Sequence, residues 1–173
     1  MRRVTTFLAA ACFLSSGALG APVPIVNPGF EANFAGPNAF SILIPQGWSL
    51  YDPNSIVDQS LDAVGVLNPT GGTNFPAGAP EGNNVGLIYL ETDSGNGPAG
   101  FTQVLTTNLA AGMRYTLTVE VGDIASGFNA PPFDMTFFLL DGFPGYQVQV
   151  LAGGVVIAED DNTLAAVLDD GEF

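Results

Sequence analysis

Twenty-two glycines and thirteen prolines are spread along the 173-residue chain, and this punctuation most constrains what the chain can fold into. Proline removes an amide donor and glycine weakens a helix interior, so long helices are excluded and short strands joined by turns remain. The stretches between agree. Residues 114–121, Arg-Tyr-Thr-Leu-Thr-Val-Glu-Val, alternate with a period of two, which predicts a strand with one buried and one wet face. Tyr146, Val148 and Val150 repeat the pattern, and Gly153-Gly154 precedes Val155, Val156 and Ile157, which predicts a hairpin. Shorter strands are expected over residues 24–26, 47–51, 63–67, 84–91, 100–105 and 135–140. Strands of this length and spacing predict an all-β antiparallel β-sandwich of jelly-roll type, with no internal repeat and no second domain.

Residues 1–20 read as an export signal. Arg2 and Arg3 precede an apolar stretch from Val4 to Leu14, and Ala18-Leu19-Gly20 offers small residues for cleavage before Ala21. Residues 21–173 are then the single folded domain. The apolar stretch is short for a span and no later one is longer, so the expectation is a secreted or cell-surface protein with no membrane insertion after cleavage.

Cleavage removes Cys12, Arg2 and Arg3, which leaves a chain without Cys, His or Lys in which Arg114 alone faces seventeen acidic residues. A surface so acidic repels phosphate, which excludes nucleic acid as a partner. Ser-His-Asp and Cys-His catalysis, Schiff bases and ordinary zinc sites are excluded by the missing residue types. Carboxylates and tyrosines are the remaining acids and bases, and a metal would have oxygen ligands, which favours calcium or magnesium. No local motif singles out a carboxylate pair, so the chain reads as a non-enzyme. With 47% hydrophobic residues and 12% charged, packing without disulfides can carry its stability.

The motif Asn27-Pro28-Gly29-Phe30-Glu31 is followed by Gly47-Trp48, by Pro80-Glu81-Gly82-Asn83-Asn84 before an apolar strand, by Gln103-Val104-Leu105, and by the residue 115–119 and 146–154 patterns. In this order they resemble galactose-binding-like jelly-roll modules, the superfamily of many carbohydrate-binding modules. They look closest to exported bacterial proteins that often carry a PEP-CTERM sorting signal. The resemblance implies a secreted, non-catalytic module that binds an extracellular polysaccharide or glycan. The alternatives are a structural surface protein making only protein contacts, or a carboxylate-based glycoside hydrolase accessory. It also implies a structural calcium ion beside the first strand, with Glu31 at the ligating position; an exposed turn carboxylate is the other reading of Glu31. Such modules usually continue into two more strands, so the domain is expected to lack its last strands.

A sugar site needs an aromatic face with amides nearby. Trp48, Tyr51 and Tyr89 are the candidate platforms, with Phe101 as a further one, and Asn83, Asn84 and Gln103 the candidate hydrogen-bonding groups. Trp48 in the Gly-Trp pair also fits a core position, and the three amides also fit turns or solvent-facing strand positions. Residues 126–145 crowd five phenylalanines among Gly and Pro; they read as an aromatic ligand loop or as a loop folded over the core edge. The pairs Asp160-Asp161 and Asp169-Asp170 read as calcium ligands or solvated acidic turns.

Overall fold

The structure, a computed structural model, describes residues 22–173 except 59, 61, 71, 92, 93, 129, 131–135 and 141. The expected export signal lies outside the described residues. Among those described there is no helix, and every strand pair is antiparallel. The all-β expectation holds. No helix of the described residues is long and apolar enough to cross a membrane.

The centre is a sheet of three strands in the order β1 (Ala39–Ser41), β3 (Ala63–Asn68), β4 (Val85–Tyr89). Every residue of β3 is buried, because this middle strand is paired on both edges and covered on both faces. The register sets Ala63 opposite Tyr89, Gly65 opposite Leu87, and Leu67 opposite both Val85 and Phe40. These residues share one face, where Phe75, Ile124 and Phe173 pack on them. Gly65 is required here, since a Cβ would fall on the Ser41 carbonyl oxygen.

The opposite face holds Val64, Val66, Gly86 and Ile88. Phe30 stacks on Trp48 at 5.6 Å between ring centroids, and Phe101 leans on Phe30 at 5.8 Å. A Cβ on Gly86 would lie 2.8 Å from the Phe30 ring, so glycine admits the aromatic cluster to the sheet. Phe101 belongs to β5 (Gly100–Thr102), which pairs with β2 (Ser49–Tyr51), Leu50 opposite Phe101.

Two other pairs complete the ladders: β6 (Gly127–Phe128) with β7 (Phe137–Phe138), and β8 (Gln147–Ala152) with β9 (Val155–Asp161). The last is the expected hairpin. Gly153 and Gly154 turn it with φ of 58° and 83°, a left-handed pair that costs glycine little.

Two expectations are corrected. Residues 114–121, the cleanest alternation in the sequence, carry no strand; alternation records which side chains prefer water, but a strand also needs a neighbouring edge. Residues 24–26 are not a strand either. The Val26 amide donates to Gln103 Oε1 at 2.8 Å, and Gln103 Nε2 donates to the carbonyls of Val26 and Gly47 at 2.9 and 2.8 Å, so a side chain takes the place of a ladder. In the aromatic stretch 126–145, β7 falls inside the strand expected over 135–140, and β6 pairs with it where no strand was expected. Phe128 meets Phe137 edge-on at 5.2 Å, and Phe138 meets Phe40 at 5.9 Å.

Candidate functional site

The period of β3 and β4 directs Ala63, Leu67, Val85, Leu87 and Tyr89 to one side. There the chain builds an aromatic face: Phe40 from β1, Tyr89 from β4, Phe75 from the loop after β3, and Phe173 from the last turn. Phe75 and Phe173 stack at 4.2 Å with an interplanar angle of 25°. Gly122 lies under both rings, where a Cβ would come within 2.8 Å of each. These rings are part of the hydrophobic core, and Phe40, Tyr89 and Phe173 are only partly buried at its edge, which leaves aromatic surface for a flat apolar ring to lie against.

Acidic groups stand at the rim of this face. The Tyr89 hydroxyl donates to Glu91 Oε1 at 2.8 Å. Burial, this hydrogen bond and the charges of Glu91 and Asp62 push the phenol up to about 12, so it keeps its proton at neutral pH. Asp62 is buried and accepts from the Glu91 amide at 2.8 Å, from Ser94 Oγ, and from the Asp58 amide at 2.7 Å. A second group follows Gly122. Asp123 is buried, and burial raises its carboxyl above the ordinary 3.8, assisted by the Asp170 charge and a hydrogen bond to Asp170. Its backbone fastens the last turn: the Asp123 amide donates to the Glu172 carbonyl at 3.0 Å, and the Gly171 amide to the Asp123 carbonyl at 2.7 Å. An apolar platform thus has a protonated phenol and a carboxyl raised above its ordinary range at its edge.

A polar hollow of about 370 Å³ lies elsewhere, lined by Glu31, Asn33, Asn68, Asn83 and Asn84 among others. Glu31 Oε1 accepts from the amides of Asn83 and Asn84 at 2.7 and 2.8 Å. Gly82, at φ 66°, leaves room for that carboxylate, which a Cβ would strike. Asn84 is buried; its Nδ2 donates to the carbonyls of Phe30 and Asn33, while its Oδ1 has no partner among the described residues. A buried acceptor left open beside a carboxylate fits a hard cation with oxygen ligands. No cluster of three or more His, Cys, Asp or Glu suited to a metal occurs among the described residues.

The residues singled out from the sequence are scattered. Trp48 is half-buried in the Phe30–Phe101 cluster and donates Nε1 to the Asn27 carbonyl at 3.0 Å. Tyr51 is exposed at the end of β2. Gln103 laces Val26 to Gly47. Asn83, Asn84 and Glu31 meet at the polar hollow, and Tyr89 alone reaches the aromatic face. Phe75, Ile124, Phe173, Glu91 and Asp123 were not singled out. All lie outside strands, where no periodicity marks them; Glu91 follows β4 by two residues, the one usable signal.

The family model described as "HpiC1-like: HpiC1 cyclase" matches residues 21–173. The chain is similar to the Stig cyclase Fisc from Fischerella sp. TAU, whose crystal structure holds (3Z)-3-(1-methyl-2-pyrrolidinylidene)-3H-indole. Identity is 37%, coverage 87% of this chain and 74% of that one, and the TM-score 0.72. A cyclase from Fischerella sp. TAU in complex with 4-(1H-indol-3-yl)butan-2-one is 35% identical over 89% of this chain and 75% of its own, with a TM-score of 0.70. The apo form of a cyclase from Fischerella sp. is 30% identical, covering 87% and 73%, with a TM-score of 0.66. No curated protein matches the chain.

These matches correct the resemblance to galactose-binding-like carbohydrate-binding modules, and with it the non-catalytic function and the glycan partner. The expectation of a non-enzyme falls for a definable reason. Missing His, Cys and Lys exclude Ser-His-Asp and Cys-His relays and Schiff bases, but ring closure through proton transfer needs none of these.

Proposed function

The chain belongs to the HpiC1-like cyclase family, and from that premise we propose that it is an enzyme that closes a ring on a small indole-bearing substrate bound against the aromatic face. The observation that carries this reading is the set Phe40, Phe75, Tyr89 and Phe173 on one side of the central sheet, in a chain 37% identical to a cyclase that holds an indole compound. The rings bind and orient the flat heterocycle and exclude water, while Tyr89 holds its proton at the rim and Asp123 places a carboxyl there. Cyclisation by isomerisation conserves the atoms of the substrate, so it requires proton placement and conformational control. The test incubates the protein with an indole carrying an unsaturated side chain at carbon 3. The expected product has the same mass and one more ring. Neither turnover nor saturable binding of any such indole would refute the reading.

We also propose a calcium ion at the polar hollow, with Glu31 and Asn84 Oδ1 as side-chain ligands. It would tie the segment after Phe30 to the strand at Val85 and supply charge that relieves the acidic surface. A chelator then lowers the melting temperature and added calcium restores it; a melting curve indifferent to both would remove the ion. Export through residues 1–20 stands as a further proposal, tested by the N-terminus of the mature protein.

A further inference from the structure

A phenol carries one proton and two acceptor positions, and which of them a ligand meets depends on where the proton is committed. Tyr89 is partly buried against the core cluster, opposite Ala63 in the sheet, and its hydroxyl proton goes to Glu91 Oε1 at 2.8 Å. Glu91 is itself held, because its amide donates to Asp62 Oδ1 at 2.8 Å and Asp62 is a buried carboxylate fixed further by Ser94 Oγ and the Asp58 amide.

We propose that Glu91 is a positioning residue that sets the polarity of Tyr89, so that the phenol oxygen meets a ligand as an acceptor and selects aromatic heterocycles bearing an N–H donor. The inference rests on the indole reading of the site and deepens it from a ring shape to one atom. An indole N–H finds a lone pair at Tyr89. A benzofuran of the same outline presents a lone pair to a lone pair, and its discrimination is the cost of that unmatched contact. The elevated ionisation of the phenol, driven first by burial and then by Glu91, keeps the proton in place through the neutral range.

The test measures binding of 4-(1H-indol-3-yl)butan-2-one and of its benzofuran counterpart to the wild type, to Glu91→Ala and to Glu91→Gln. The wild type should prefer the indole by about tenfold, the equivalent of one hydrogen bond. In Glu91→Ala the freed hydroxyl can turn its proton to the furan oxygen, and in Glu91→Gln the amide can donate to the phenol, so the preference should fall several-fold in both. Ultraviolet titration gives a readout independent of the ligand. One tyrosine ionising near 12, absent in Tyr89→Phe, should move toward the ordinary 10 in Glu91→Ala. A preference unchanged in both variants, or a Tyr89 titration unmoved by Glu91→Ala, overturns the inference. A wild type that binds the two ligands equally also overturns it while leaving the indole reading intact. A wild type that binds neither overturns both.

Discussion

The central strand β3 and the hairpin β8–β9 are built from similar apolar residues and have opposite fates. All six residues of β3 are buried, and Val64, Val66 and Leu67 are at most 1% exposed. The hairpin has the longest strand described, yet Leu151, Val155, Val156 and Ile157 are all exposed. Its ladder is well formed, apart from a shift between Val150 and Leu151. Hydrogen bonding therefore does not separate the two regions. What separates them is coverage: Phe30, Trp48 and Phe101 lie on one face of β3, and Phe75, Ile124 and Phe173 on the other. A ladder exchanges water for protein partners at small net gain, whereas burial of apolar area stabilises outright.

The contrast makes ordered predictions. Leu67→Ala should lower the stability of the fold by about 3 kcal/mol, because it leaves a cavity under Phe40 and Val85. Asp123→Asn should have an intermediate effect of opposite sign, dependent on pH. Burial and the Asp170 charge raise the folded carboxyl above its unfolded value of 3.8. The folded state therefore binds the proton more tightly, and the stability this confers is present below the unfolded value and lost as pH rises through the folded one. The variant should melt with the wild type near pH 3 and about 3 °C above it near pH 7; an equal difference at both would detach Asp123 from the buried body. Ile157→Ala, at an exposed position, should change stability by less than about 0.5 kcal/mol. Denaturant melts of Leu67→Ala and Ile157→Ala with equal losses would break the comparison between strand and hairpin.

The same contrast explains what was legible in the sequence. Residues 63–67, 84–91 and the Gly153-Gly154 turn were readable because local patterning and turn chemistry suffice for them. The strand expected at 114–121 failed, although its alternation was the best in the chain, since pairing is a property of two segments. β1 and β6, three and two residues long, are too short for any period to register. The aromatic face escaped notice because Phe75, Ile124 and Phe173 come from loops and a terminal turn, brought together by packing over a sheet. The Asn27-to-Glu31 motif and the Gly47-Trp48 pair suggested a carbohydrate-binding module. The structure gives those residues scaffold work, Trp48 in a ring stack and Glu31 under Asn83 and Asn84, and scaffold does not identify chemistry.

Gln103 has one more consequence. Both backbone groups of Val26 are satisfied by a single carboxamide, which also reaches Gly47. The leading segment is thus hung on a rotatable side chain, and its detachment needs that side chain to turn where a β-ladder would have to unzip. Release of the front of the chain is in this way separated from melting of the body behind it.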